Sequence, residues 1–225
     1  MFLHFFAKNA SATAAMVACV LCGLLTVATP VAAQVQTAVE YGFYSYWDDC
    51  YYYGTNNGRT LVCDYGSYFV TSSPDEMAAL DGGAFDLFGG QFAWQRTGET
   101  FDVWSGPESG ALPTCRFFKQ AFYPEHVYTP YEAECAAVPA NPDWQYKYEG
   151  IAFYLQIPDE NGNCPFGTTI LYRLYNNGID GAPVHRLTTR PSTFNQMLAT
   201  GWVFEGDSRT FAFACVPSST TPSIP

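Results

Sequence analysis

The chain has 225 residues, 48% of them hydrophobic and 17% aromatic, with 21 acidic against 10 basic side chains and a net charge of −11. That excess of negative charge repels phosphate backbones and anionic headgroups, which argues against nucleic acid and membrane surfaces as partners. The length suffices for one domain with a real core.

In chain order, residues 1–33 read as a signal peptide: Lys8 gives the positive end, residues 14–27 an apolar run, and Val31-Ala32-Ala33 the small residues at a cleavage site. The run falls short of the ~20 residues that span a bilayer. Cleavage after Ala33 is therefore expected, leaving Gln34 as the mature N-terminus and the product secreted or periplasmic. Lipid attachment at Cys22 is the weaker alternative, because Leu21 stands where a small residue belongs. The mature chain keeps nine basic residues against 21 acidic ones, a net charge of −12. It also keeps six cysteines, Cys50, Cys63, Cys115, Cys135, Cys164 and Cys215. An even number in an exported chain reads as three disulfides, and the closely spaced Cys or His pairs of a zinc site are absent. No metal and no cofactor is expected.

Residues 34–225 read as one domain of three related units, 40–105, 113–157 and 164–217. The register is set by a threonine ending an apolar strand, at Thr71, Thr129 and Thr188, spaced 58 and 59 residues apart. A helix start follows each. Ser73-Pro74-Asp75-Glu76 and Thr129-Pro130-Tyr131-Glu132 both supply a capping hydroxyl, an N-terminal proline and a glutamate three residues on. Thr193 to Gln196 gives a weaker version. Aromatic runs around a glycine follow each helix, led by Trp144 and Trp202 in the second and third units, and read as two strands or one bent strand. The expected fold class is thus α+β, mainly β, with three repeated strand-strand-helix-strand-strand units around an approximate pseudo-threefold axis.

The first unit carries an insertion holding Trp47, Tyr51, Tyr52, Tyr53 and the turn Thr55-Asn56-Asn57-Gly58. Asn-Gly between aromatic and apolar runs is a hairpin cue. A Cys50–Cys63 bridge would staple it. The other four cysteines admit three connectivities, of which one bridge per unit gives Cys115–Cys135 and Cys164–Cys215.

The second and third units each have an arginine in the first strand (Arg116, Arg173) and a glutamate before the glycine (Glu149, Glu205), whereas the first unit has Gly42 and Gly89 there. Both charges are present or both are absent. Stranding one member of a buried pair costs about 3 to 5 kcal/mol, so this co-occurrence predicts ion pairs Arg116–Glu149 and Arg173–Glu205. The rival role for Glu149 and Glu205 is a glycosidase carboxylate pair, which requires them roughly 5 to 10 Å apart. His126 and His185 precede their threonines by three residues and read as repeated structural hydrogen-bonding groups. Trp144 and Trp202 recur with the unit and read as core, whereas Trp47, Tyr51, Tyr52 and Tyr53 belong to the insertion and form the candidate binding patch.

The runs CRFF, EHVYT, EC, W-x-x-x-YEGIAFY, GNCP, LYRLYNNG and GW-x-x-EG resemble a domain of unknown function that occurs as repeats in exported bacterial proteins. Its usual cores are H-F-Y-T and W-x-x-E-G-x-A-F-Y. The likeness is close over 115–215 and degenerate over 41–94. It implies export and cysteines in this arrangement, and transfers no activity. The expected function is a non-catalytic module binding a glycan or a cell-surface protein. The alternatives are a hydrolase of polysaccharide or peptidoglycan acting through Glu149 or Glu205, and a purely structural or inhibitory module.

Overall fold

Two buried strands set the frame. The computed structural model describes residues 34–45, 50–53, 60–63, 66–84, 92–107, 110–119, 124–178 and 183–218, and residues from Ala32 to Pro225 form one compact unit. In chain order the elements are β1 (Val35–Ser45), β2 (Cys50–Tyr53), β3 (Thr60–Cys63), β4 (Ser67–Thr71), α1 (Pro74–Asp81), β5 (Phe92–Trp104), β6 (Ala111–Lys119) and β7 (Glu125–Thr129). Then follow α2 (Glu132–Ala140), β8 (Lys147–Gln156), β9 (Thr168–Tyr175), β10 (His185–Thr188), α3 (Pro191–Ala199), β11 (Val203–Phe204) and β12 (Ala214–Pro217). Every residue of β4 (SYFVT) and β7 (EHVYT) is buried, as expected for a strand covered on both faces.

The threonines end their strands by satisfying the backbone that turns away. Thr71, Thr129 and Thr188 are buried, and each Oγ1 accepts from the N–H two residues on, that of Ser73, Tyr131 or Arg190, at 3.0, 3.1 and 3.0 Å. A side-chain turn of this kind replaces a ladder bond the strand no longer makes. The helices then start by different means. Ser73 caps α1, accepting from Glu76 N–H, with a proline in its first turn. Tyr131 and Arg190 stand at the cap positions of α2 and α3 and make no side-chain cap bond. Thr193, expected as a cap, lies inside α3.

The repeat architecture expected from the sequence is overturned. One 10-stranded antiparallel sheet runs in the order β10-β9-β12-β8-β5-β1-β4, with β11 on β9, β6 on β8 and β7 on β6, while β2 and β3 form a separate pair. Pairing does not stop at the expected unit boundaries: Trp104 of β5 opposes Tyr154 of β8, and Cys215 of β12 opposes Gln156 of β8. The strand-strand-helix-strand-strand order also fails, since a single strand follows α1 and α2 among the described residues. The physical reason lies in the glycines. Gly150 passes through φ 120 and Gly98 through φ 84, conformations that side-chain-bearing residues rarely adopt, and each bends a strand that then continues.

The central core draws on every part of the sheet, with Phe101, Val103, Phe153, Leu155, Leu171 and Val216 all at least nine-tenths buried. Three smaller clusters sit beneath the helices: Tyr41, Phe69 and Leu80; Phe117, Val127 and Val138; Leu174, Phe194 and Met197. Trp202 packs on the last of these. Trp144, expected in the core, is 46% exposed, and the aromatic from the connection ahead of β8 that packs on the cluster beneath α2 is Tyr146. Disulfides join Cys115 of β6 to Cys135 of α2 and Cys164, in the β8–β9 connection, to Cys215 of β12. Cys50 and Cys63 stand opposite one another in the β2–β3 register. Trp47, the turn at 55–58 and the glycine pair at 89–90 lie outside the described residues.

Candidate functional site

Two clefts have floors of the same chemistry. In the first, the β6–β8 register slips so that Arg116 faces Gly150 and Phe117 faces Tyr148, which leaves Glu149 as the extra residue of a bulge. A bulge re-aims one side chain out of the alternation of the strand. Glu149 Oε2 is thereby 2.9 Å from Arg116 Nε. The other edge of the guanidinium is taken by Glu76 of α1, with Nη1 and Nη2 donating at 3.0 and 2.8 Å, and Thr71 Oγ1 donates to Glu76 Oε2. The cleft above this group has a volume of about 270 Å³ and is lined by Thr71, Ser73, Glu76, Arg116, Glu149 and Ile151, among others.

The second cleft, about 450 Å³, lies over Arg173. Its Nη1 and Nη2 donate to Glu134 of α2 at 3.0 and 2.8 Å, Nη1 donates also to the Tyr128 carbonyl at 3.1 Å, and Nε is 2.9 Å from Glu205 Oε2. The guanidinium carbon sits 4.0 Å from the Phe213 ring centroid. In both clefts the Nε contact is an ion pair out of hydrogen-bond alignment, whereas the two-pronged bond goes to the helix glutamate. Asp159, Glu160 and Asp207 complete the rim of the second cleft. Arg209 is held on Asp207 at 2.8 Å.

Glu149 lines the first cleft and Glu205 the second. Burial would raise the Glu205 carboxyl, but the His185 hydrogen bond and the Arg173 charge outweigh it and hold the group below the usual range. It therefore stands ionised at neutral pH, the opposite of what a general acid needs. Tyr51, Tyr52 and Tyr53 form β2, paired with β3.

Sequence reasoning missed several groups. Glu76 was assigned to a helix cap and Glu134 to no role, although acidic residues in a helix first turn are also placed to meet a neighbouring arginine. Glu40, Glu99 and Glu125 are buried at 0%, 2% and 1% exposure, and only Glu40 interrupts an apolar run, between Val39 and Tyr41, so the other two left no signal in the sequence. Glu40 takes both prongs of Arg186 at 2.8 and 3.0 Å, and burial, only partly offset by Arg186, raises its carboxyl. Glu99 accepts from Thr188 Oγ1 at 2.7 Å.

His126 and His185, read as equivalent, differ in charge. His185 Nδ1 is 2.6 Å from Glu125 Oε1 and its Nε2 3.3 Å from Glu205 Oε2. With carboxylate oxygens on both ring nitrogens the imidazole is protonated: burial opposes the charge, but the hydrogen bonds and charges of Glu125 and Glu205 push its pKa up to about 9. His126 lies 4.7 Å from the Phe69 ring, 5.0 Å from Phe118 and 6.0 Å from Trp94, and its Nδ1 has no hydrogen-bond partner. Burial and then the Arg116 charge hold it down to about 3, so it is neutral.

These states set opposite pH dependences. His126 binds fewer protons in the native than in the unfolded chain, whose histidines titrate near 6.5, so its effect is a loss of stability as pH falls from about 6.5 towards 3. The contribution of His185 is complete below about 6.5 and is lost as pH rises through about 9. The carboxyl of Glu125, pushed up to about 7 by burial, adds a loss as pH rises from about 4.5 to 7. His126→Phe is expected to stabilise the protein relative to wild type at pH 4 more than at pH 7, by on the order of 3 kcal/mol. His185→Gln is expected to cost more at pH 6 than at pH 10. Urea unfolding across that range measures both, and parallel curves for variant and wild type would contradict the assigned charges.

Among the described residues no cluster of three or more His, Cys, Asp or Glu is placed to hold a metal ion. No helix among them is long and apolar enough to cross a membrane. Fold and clefts define the class: a mainly antiparallel β domain, braced by disulfides, whose clefts are floored by arginines clasped between carboxylates. Residues 65–210 match the family model described as a domain of unknown function, DUF5648, and the chain belongs to that family. No curated protein and no solved structure matches it.

Proposed function

We propose that this is an exported, non-catalytic binding module of a bacterial protein, engaging a glycan or a protein partner at the cell surface or outside the cell. One observation supports it above the others: in each cleft the guanidinium and both carboxylates are engaged with one another, so the charged groups form a scaffold and none is poised to transfer a proton. The disulfides fit export, because such bridges persist in oxidising compartments. The signal peptide read over residues 1–33 supplies the route.

The rival is hydrolysis through Glu149 or Glu205. Reducing-end release from polysaccharide and peptidoglycan distinguishes the two. The binding-module reading expects no release by the wild-type protein. Release that Glu149→Gln or Glu205→Gln abolishes, in variants that keep the wild-type unfolding midpoint, would overturn it.

A further inference from the structure

Phe166 is wholly exposed, at 107% of its reference area, and it sits in a stretch held unusually firmly. The turn from Pro165 to Thr168 is closed by Thr168 N–H donating to the Pro165 carbonyl at 3.1 Å, with Gly167 at φ 82 behind the ring. The turn needs a carbonyl acceptor at its first residue, which Pro165 gives, and a positive φ at its third, which Gly167 gives. The phenyl ring serves none of them. On one side the Cys164–Cys215 bridge fastens the chain to β12, and on the other Ser218 N–H donates to the Gly167 carbonyl at 2.9 Å. The earlier part of the same β8–β9 connection is tied by Thr210 Oγ1 donating to the Gly162 carbonyl at 2.7 Å, and by Arg209 donating to the Glu160 carbonyl.

An apolar ring fully in water adds nothing to the fold, whereas on a preordered turn it can enter a partner's pocket with little entropy left to lose. Aromatic side chains are enriched at interfaces for this reason. The charge carried by the same connection specifies the partner. The same connection carries exposed Asp159 and Glu160 on the rim of the larger cleft, where Glu134, Glu205 and Asp207 bring the carboxylates to five against the guanidiniums of Arg173 and Arg209 and the imidazolium of His185. An anionic surface is repelled, and a neutral glycan gains nothing from that surplus.

We propose that the β8–β9 connection docks a protein partner, with Phe166 entering an apolar pocket and the acidic rim that the same connection carries facing lysine or arginine side chains of that partner. The inference rests on the protein being a binding module.

Fluorescence anisotropy tests it with three labelled peptides, an amphipathic Leu/Lys peptide, its Ser/Lys analogue and its Leu/Glu analogue, and with a neutral chito-oligosaccharide as competitor. The Leu/Lys peptide is expected to bind more tightly than either analogue and to weaken as salt rises. Phe166→Ser is expected to weaken it by roughly tenfold or more while leaving the unfolding midpoint unchanged. The inference is overturned by affinity for Phe166→Ser within about twofold of wild type, by Leu/Glu binding as tightly as Leu/Lys, or by no Leu/Lys binding. Displacement of the peptide by the oligosaccharide assigns the surface to a glycan and overturns it equally. Any of these leaves the broader binding reading standing, since that falls only with catalytic release through Glu149 or Glu205.

Discussion

Replacing Arg173 by methionine is expected to lower the free energy of unfolding by about 3 to 5 kcal/mol, the range for removing one member of a buried charged network. Arg173 is 6% exposed. It bridges Glu134, Glu205 and the Tyr128 carbonyl at once, and a thioether leaves Glu134 and that carbonyl without the guanidinium, while Glu205 keeps His185 beside it. Solvent reaching Glu134 and Glu205, whose side chains are 31% exposed, tempers the loss. At roughly 2 to 4 °C per kcal/mol for a domain of this size, the thermal midpoint should fall by on the order of 10 °C. Arg173→Lys should recover little, because a single ammonium cannot reproduce the planar fork that meets Glu134 with two nitrogens. Adding Glu134→Gln to Arg173→Met should recover part of the loss by removing the stranded charge, whereas Glu205 keeps His185 as a partner. Urea unfolding of the series measures it. A cost below about 1 kcal/mol for Arg173→Met would place the network in the class of surface pairs and remove its structural role.

That network also marks how far the sequence could be read. The joint presence of an arginine and a glutamate in two segments, and their joint absence in a third, pointed to Arg116 facing Glu149 and Arg173 facing Glu205. It could not point to Glu76 or Glu134, because those come from the helix of the preceding segment and meet the arginine only once the sheet has formed. Glycine gave a similarly partial signal. Gly150 announces an irregular backbone, but whether the strand ends there or bulges and continues depends on β6, and by continuing β8 reaches both β5 and β12 in the one large sheet. The histidines show the limit most plainly. Glu125 is the sequence neighbour of His126, yet alternation along β7 sends the two to opposite faces, and the carboxylate that abuts His126 in the chain charges His185 instead. Trp144 occupies the place of Trp202 in its segment and stays out of the core, since position in a pattern does not fix what packs over it.

The Cys164–Cys215 and Cys115–Cys135 disulfides should differ in worth because they close loops of different length. Cys164 and Cys215 are 51 residues apart, Cys115 and Cys135 only 20, and the entropy a cross-link removes from the unfolded chain grows with the logarithm of that separation. On that account Cys164→Ala with Cys215→Ala should cost about 4 kcal/mol and Cys115→Ala with Cys135→Ala about 3 kcal/mol. Packing should widen the gap: Cys215 is fully buried beside Ala214 and Val216 in the sheet, so truncation there also opens space in the core. The longer bridge further anchors the turn that presents Phe166. Its loss should therefore weaken Leu/Lys peptide binding at temperatures where the double variant is still folded, whereas loss of the Cys115–Cys135 bridge, which ties β6 to α2, should leave that binding unchanged. Unfolding in urea, together with peptide anisotropy on both double variants, measures the two effects separately. The reverse order of stabilities would mean that chain entropy is not what these bridges chiefly supply.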